Sequence, residues 1–64
     1  MKETELWQRL EAQLGRGYAQ VWAAEHHVAD LNGQTVRDAL HDGTAAKQIW
    51  RAVWRELELP DRER

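Results

Sequence analysis

A chain of 64 residues holds at most one domain, and at this size only about 60% of the unfolded surface is buried, so the core needs reinforcement. There is no Cys, which excludes disulfides, while four Trp and one Tyr supply large apolar area. Nine Lys+Arg against 11 Asp+Glu give a net charge of −2, which lacks the basic balance of most nucleic-acid binders and leaves only a local patch for such a role.

The 42% hydrophobic content excludes a disordered chain. No apolar run approaches the ~20 residues of a membrane span, and MKETELWQRL carries no signal-peptide core. The expectation is a cytoplasmic protein off the membrane. The pattern is helical throughout, with no sustained period-two alternation. Thr4 is placed to cap a first helix, with Glu5 in its first turn. Leu6, Trp7, Leu10 and Leu14 share one face; Gly15 ends the helix and Gly17 loosens the joint. A second helix is expected over 18–31, with Tyr18, Val21, Trp22, Val28 and Ala29 inward, stopped by Asn32-Gly33. Thr35 opens a short third helix, with Asp38 at capping-box spacing and Val36, Ala39 and Leu40 inward. Asp42-Gly43 breaks it. Thr44 is placed to cap a fourth helix with Ala46, Ile49, Trp50, Val53 and Leu57 on one stripe. Order is expected over about 4–59, with 60–64 a polar tail after Pro60. The expected fold is all-α: one domain over 1–64, a compact bundle of four short helices around a Trp-rich core.

The series Leu6-Trp7, Gly15, Tyr18-Ala19, Trp22-Ala23, Glu25-His26, Leu31, Gly33, Thr35-Val36, Ala39-Leu40, Gly43 and Trp50-Arg51-Ala52-Val53 resembles a family of small actinobacterial proteins known only as a domain of unknown function. The resemblance runs from Glu5 to Pro60. It implies a genomic neighbourhood of homologous-recombination and DNA-repair genes, and no catalytic or binding residues. His27 stands where the family usually has an aliphatic residue, and Trp54 where a smaller one is common.

The stretch QTVRDALHDGTAAKQIWRAV, residues 34–53, partly resembles a helix-turn-helix. With Gly43 in the turn, Ala39 takes the small position and Ile49 a core position of the second helix. Asp38 and Asp42 then fall where apolar residues pack between the helices, and burying them there costs too much without partners. Thr44 is a weak substitute just after the turn. Plain helix packing, with the two Asp as cap and turn residues, is the preferred reading.

Lys47, Arg51 and Arg55 lie at i, i+4 and i+8, forming one basic stripe with Trp54 at its border. A basic stripe beside an aromatic suits a protein partner or phosphates. The plainer reading is a solvated face whose stems cover the core edge, diluted by Glu56 and Glu58. His26 and His27 diverge by about 100° on a helix and cannot easily share an ion, and neither HExxH spacing nor a Cys ligand is present. No metal or cofactor is expected; His26 is expected to pair with Asp30 instead. Glu25 falls between Tyr18, Val21 and Trp22 and is expected to be partly buried, in a structural role rather than as an acid or base. Trp7, Trp22 and Trp50 are expected to form the core cluster, with Trp54 partly exposed.

The resulting expectation is a non-catalytic protein-interaction module using Lys47, Arg51, Trp54 and Arg55. The alternative is a nucleic-acid-binding accessory protein linked to recombination or repair through residues 34–53, with weak binding. Convergence of Arg37, Lys47, Arg51 and Arg55 on a face free of acids would favour nucleic acid; an apolar setting for Trp54 would favour protein.

Overall fold

A computed structural model describes all 64 residues, Met1–Arg64. Four α-helices and two 3-10 turns follow in the order α1 (Glu3–Leu14), α2 (Arg16–Glu25), a turn at Ala29–Leu31, α3 (Val36–His41), α4 (Ala46–Glu56) and a turn at Asp61–Glu63. No strand is present. The all-helical, four-helix expectation holds.

α1 begins earlier than its sequence signals suggest. Lys2 is its cap residue and Thr4 lies inside the helix, exposed. Leu6 and Leu10 are fully buried, while Trp7 and Leu14 pack only partly against the core. A single residue, Gly15, joins α1 to α2: its N–H closes on the Glu11 carbonyl at 2.8 Å and its carbonyl starts α2 through Ala19 N at 2.9 Å. Its backbone, φ 89° and ψ 150°, lies in a region essentially reserved for glycine. The joint therefore falls at Gly15, and Gly17 is part of α2.

α2 departs most from expectation. It ends at Glu25 instead of continuing to Leu31, and the face it buries is Ala19, Trp22 and Ala23. Tyr18 and Val21, expected inward, are 56% and 47% exposed. Small residues on the buried face let α2 approach α1 closely, its most extensive helix partner. Continuing the helix at about 100° per residue would carry Val28 and Leu31 to the side away from Ala19 and Ala23. Breaking it instead lets Val28 and Leu31 join the core while Ala29 stays outside. The 28–34 loop is closed by Val28 N to the Gln34 carbonyl and Gly33 N to the Val28 carbonyl, at 2.9 and 3.1 Å. Asn32 (φ 59°) and Gly33 (φ 77°) supply the left-handed turn at the expected Asn-Gly stop.

α3 follows its local signals. Thr35 is the cap, its Oγ1 accepting from Asp38 N at 3.1 Å, and Val36 and Ala39 are buried. At the other end Gly43 N donates to the Leu40 carbonyl and Thr44 N to the Ala39 carbonyl, with Gly43 at φ 85°. This is the paired closure of a Schellman motif. Thr44 is thus occupied in ending α3. α4 begins at Ala46 behind Ala45, with no side-chain cap.

α4 buries Ile49, Trp50, Ala52 and Val53, and Ala46 and Leu57 only partly. Trp22 and Trp50 are the buried tryptophans. Trp7 sits at the rim, its indole N–H donating to Glu3 at 3.2 Å and its ring under Arg37 at 5.3 Å. The segment 60–64, expected as a plain polar tail, folds back over α1 and α4. Both indoles of α4 donate to its carbonyls, Trp54 to Pro60 at 2.9 Å and Trp50 to Glu63 at 2.9 Å.

Candidate functional site

The basic stripe of α4 forms one wall of an open depression of about 620 Å³, with Lys47, Arg51, Trp54 and Arg55 in its lining. Two residues from elsewhere complete it: Asp30 from the 29–31 turn and Arg64 from the folded-back segment. Beyond Lys47, Arg51 and Arg64 lies a smaller depression of about 260 Å³, which adds Glu5, Arg9 and Trp50. The three cations therefore stand between the two hollows. All four residues expected to form the interaction surface lie together, as i, i+4 geometry requires.

Their states differ. Arg55 is held by Asp30 at 3.1 Å, and Arg9, in the second hollow, by Glu5 at 2.9 Å. Lys47 and Arg51 are exposed and form no ion pair. Trp54 is not in an apolar patch. It is half-buried, its N–H is bound to Pro60, and the Arg64 guanidinium stands 4.8 Å from its ring centre. Arg37 does not converge on this face: it bonds to Gln20 of α2 and covers Trp7 of α1.

The 34–53 unit places Asp38 and Asp42 outside, not between helices. Both are exposed; Asp38 N is capped by Thr35, and the Asp42 carboxylate accepts from Gln34 Nε2 at 2.6 Å. α3 has only six residues.

The histidines are engaged differently from expectation. His26 lies past the end of α2, so it has no helical i, i+4 relation to Asp30. Its ring stacks on Trp22, 4.6 Å between centroids and 11° between planes, and Nε2 lies 2.9 Å from Glu56 of α4. The other Glu56 oxygen accepts from Ala29 N at 3.4 Å. The His26 hydrogen bond, then the Ala29 N–H, hold the Glu56 carboxyl below its ordinary 4.5, against a smaller opposing effect of desolvation. His27 faces outward, with Nδ1 2.7 Å from the Gly33 carbonyl. No group of three or more His, Cys, Asp or Glu is arranged to hold a metal ion. Glu25, expected to be partly buried, is exposed at the end of α2, because the buried face lies around Ala19 and Ala23 and not around Tyr18 and Val21.

Arg9, Asp30 and Arg64 were absent from the sequence-derived surface. Each joins α4 from a distant segment, and no local spacing marks such a meeting. No helix is long and apolar enough to cross a membrane. No curated protein and no solved structure matches the chain. A family description, Protein of unknown function (DUF3046), matches residues 1–62, so nearly the whole fold and the α4 face with it belong to that family.

Proposed function

We propose that this protein is a non-catalytic interaction module that docks a protein partner on the exposed face of α4. The observation that carries this reading is the pair Lys47 and Arg51. They stand unpaired at the open depression while their neighbours Arg55 and Arg9 are neutralised by Asp30 and Glu5. An unpaired, solvated cation gives up little when it meets an anion, and complementary charge speeds and orients docking. The hollow is open, and Ala52 and Trp54 are the hydrophobic residues among the eight that line it. Small-molecule pockets are concave and mostly apolar. Trp54 supports the wall and is no free apolar anchor, since its ring and N–H are already occupied. The recombination-gene neighbourhood implied by the family resemblance suits a partner from that machinery.

The test is affinity capture from the native cytoplasm, with and without nuclease, using the tagged chain and a Lys47→Ala/Arg51→Ala variant checked for its fold. A partner that survives nuclease and is lost in the variant supports docking on α4. Captured material that vanishes with nuclease, together with a band shift that discriminates between DNA sequences near physiological salt, would replace this reading with nucleic-acid binding.

A further inference from the structure

Side-chain hydrogen bonds from two helices tie the segment 60–64 to the body. Trp54 Nε1 donates to the Pro60 carbonyl, and Trp50 Nε1 to the carbonyls of Glu63 and Arg64, at 2.9, 2.9 and 3.1 Å. From α1, Arg9 donates to the Arg64 carbonyl and Gln13 to the Glu63 carboxylate, both at 3.2 Å. Every one of these bonds runs from a donor on a helix to an acceptor on the segment. Pro60, Asp61, Arg62 and Arg64 remain exposed. A segment whose own side chains are mostly exposed belongs to the part of a protein that opens without global unfolding.

Opening would uncover the two indole N–H groups of α4, one helical turn apart, beside the unpaired Lys47 and Arg51. Trp50 is 1% exposed, so its donor lies at the floor of the groove and is satisfied only by the segment. Once uncovered, the donor is met by water, and a segment that brings a fixed acceptor replaces that water as residues 60–64 do. The groove therefore selects a ligand rich in acceptors and negative charge. The two acids lining the hollows, Glu5 and Asp30, are already paired with Arg9 and Arg55 and do not oppose it.

We propose that residues 60–64 are a displaceable strap, and that an acidic segment of a partner protein takes its place on the indole N–H groups of Trp50 and Trp54. The proposal rests on the reading of the α4 face as a docking surface, and it adds the chemistry of the partner and the means of access. A peptide suits the groove better than nucleic acid. The donors already bind main-chain carbonyls of a short turn, which a peptide backbone supplies and a phosphodiester backbone does not.

The test follows the indole N–H resonances of the full chain while a short synthetic Asp/Glu peptide is added, with a Gly/Ser peptide and a short DNA duplex as separate arms. The expected result is movement of the Trp50 and Trp54 signals with the acidic peptide, while Trp7 and Trp22 stay in place. Gln13→Ala removes one clip of the strap without touching α4 and is expected to tighten peptide binding about threefold, the effect of one modest hydrogen bond. Lys47→Ala/Arg51→Ala is expected to weaken it. Peptide binding with still indoles and no effect of Gln13→Ala would overturn the strap and leave the docking face standing. Absence of peptide binding, or movement of the indoles by DNA instead, would overturn the acidic-peptide occupant, and the DNA outcome would also overturn the docking reading.

Discussion

α3 and α4 are adjacent in the chain and are held by different means. α3 has six residues, a side-chain cap at Thr35 and a glycine in the left-handed position at its end. α4 has 11 residues and no side-chain cap at Ala45. At its far end the same paired closure recurs: Glu58 N donates to the Arg55 carbonyl and Leu59 N to the Trp54 carbonyl, both at 3.1 Å. There the left-handed residue is Glu58, φ 53°, where α3 has Gly43. α4 instead has four buried side chains, the His26–Glu56 contact and the folded-back segment. A helix too short to bury much must be defined at its ends. One with a strong apolar stripe tolerates poor ends, because packing holds it.

The largest effect is expected at Trp50. Trp50→Ala removes a buried side chain of α4 and both of its hydrogen bonds to the 60–64 segment, at an expected cost of about 3–5 kcal/mol. That is comparable with the whole stability of a small domain. Loss of helical dichroism and of a cooperative melt is the expected readout, and a cooperative native-like melt would show that α4 is not packing-held.

Gly43→Ala tests the end of α3. A methyl group there meets nothing within 4 Å, so the cost comes from the backbone alone, about 1–2 kcal/mol at φ 85°. Urea unfolding reads this as a lower midpoint with an unchanged slope. Thr35→Ala removes the cap at the other end and is expected to cost about 1 kcal/mol in the same measurement.

Glu58→Gly acts in the opposite direction, at the end of α4. It relieves the left-handed strain and removes a negative charge from the helix C-terminus, with part of the gain returned to the more flexible unfolded chain. A net stabilisation of about 0.5–1 kcal/mol is expected, raising the melting temperature by a few degrees. A lower melting temperature would mean that Glu58 makes contacts that outweigh its strain.

The smallest effect is the pH dependence of Glu56, the last residue of α4. Its folded-state pKa is depressed below 4.5, so its contribution to stability is present above 4.5 and lost as pH falls through the folded value. Stability followed on acidification is expected to fall less in Glu56→Gln than in the parent chain. Equal falls would show that the His26 hydrogen bond does not favour the carboxylate.

Local signals along the chain specify the helix count, the inward faces of α1 and α4, the cap at Thr35, the turns at Gly33 and Gly43, and the basic stripe of α4. All rest on residues within one or two turns of each other, where propensity, capping and the 3.6-residue period act directly. The end of α2 depends on packing, because both versions satisfy the local pattern and the shorter one brings Val28 and Leu31 into the core. Packing also exposed Tyr18 and Val21, since the contact with α1 favours the face with the small side chains Ala19 and Ala23, a preference that hydrophobic periodicity does not signal. The same holds for the candidate site. Lys47, Arg51, Trp54 and Arg55 were legible together, whereas Asp30, Arg9 and Arg64, and the bond from Gln13 to Glu63, depend on chain segments that meet only after folding. Long-range partners of this kind are selected by the shape of the packed core, and no spacing along the chain records them.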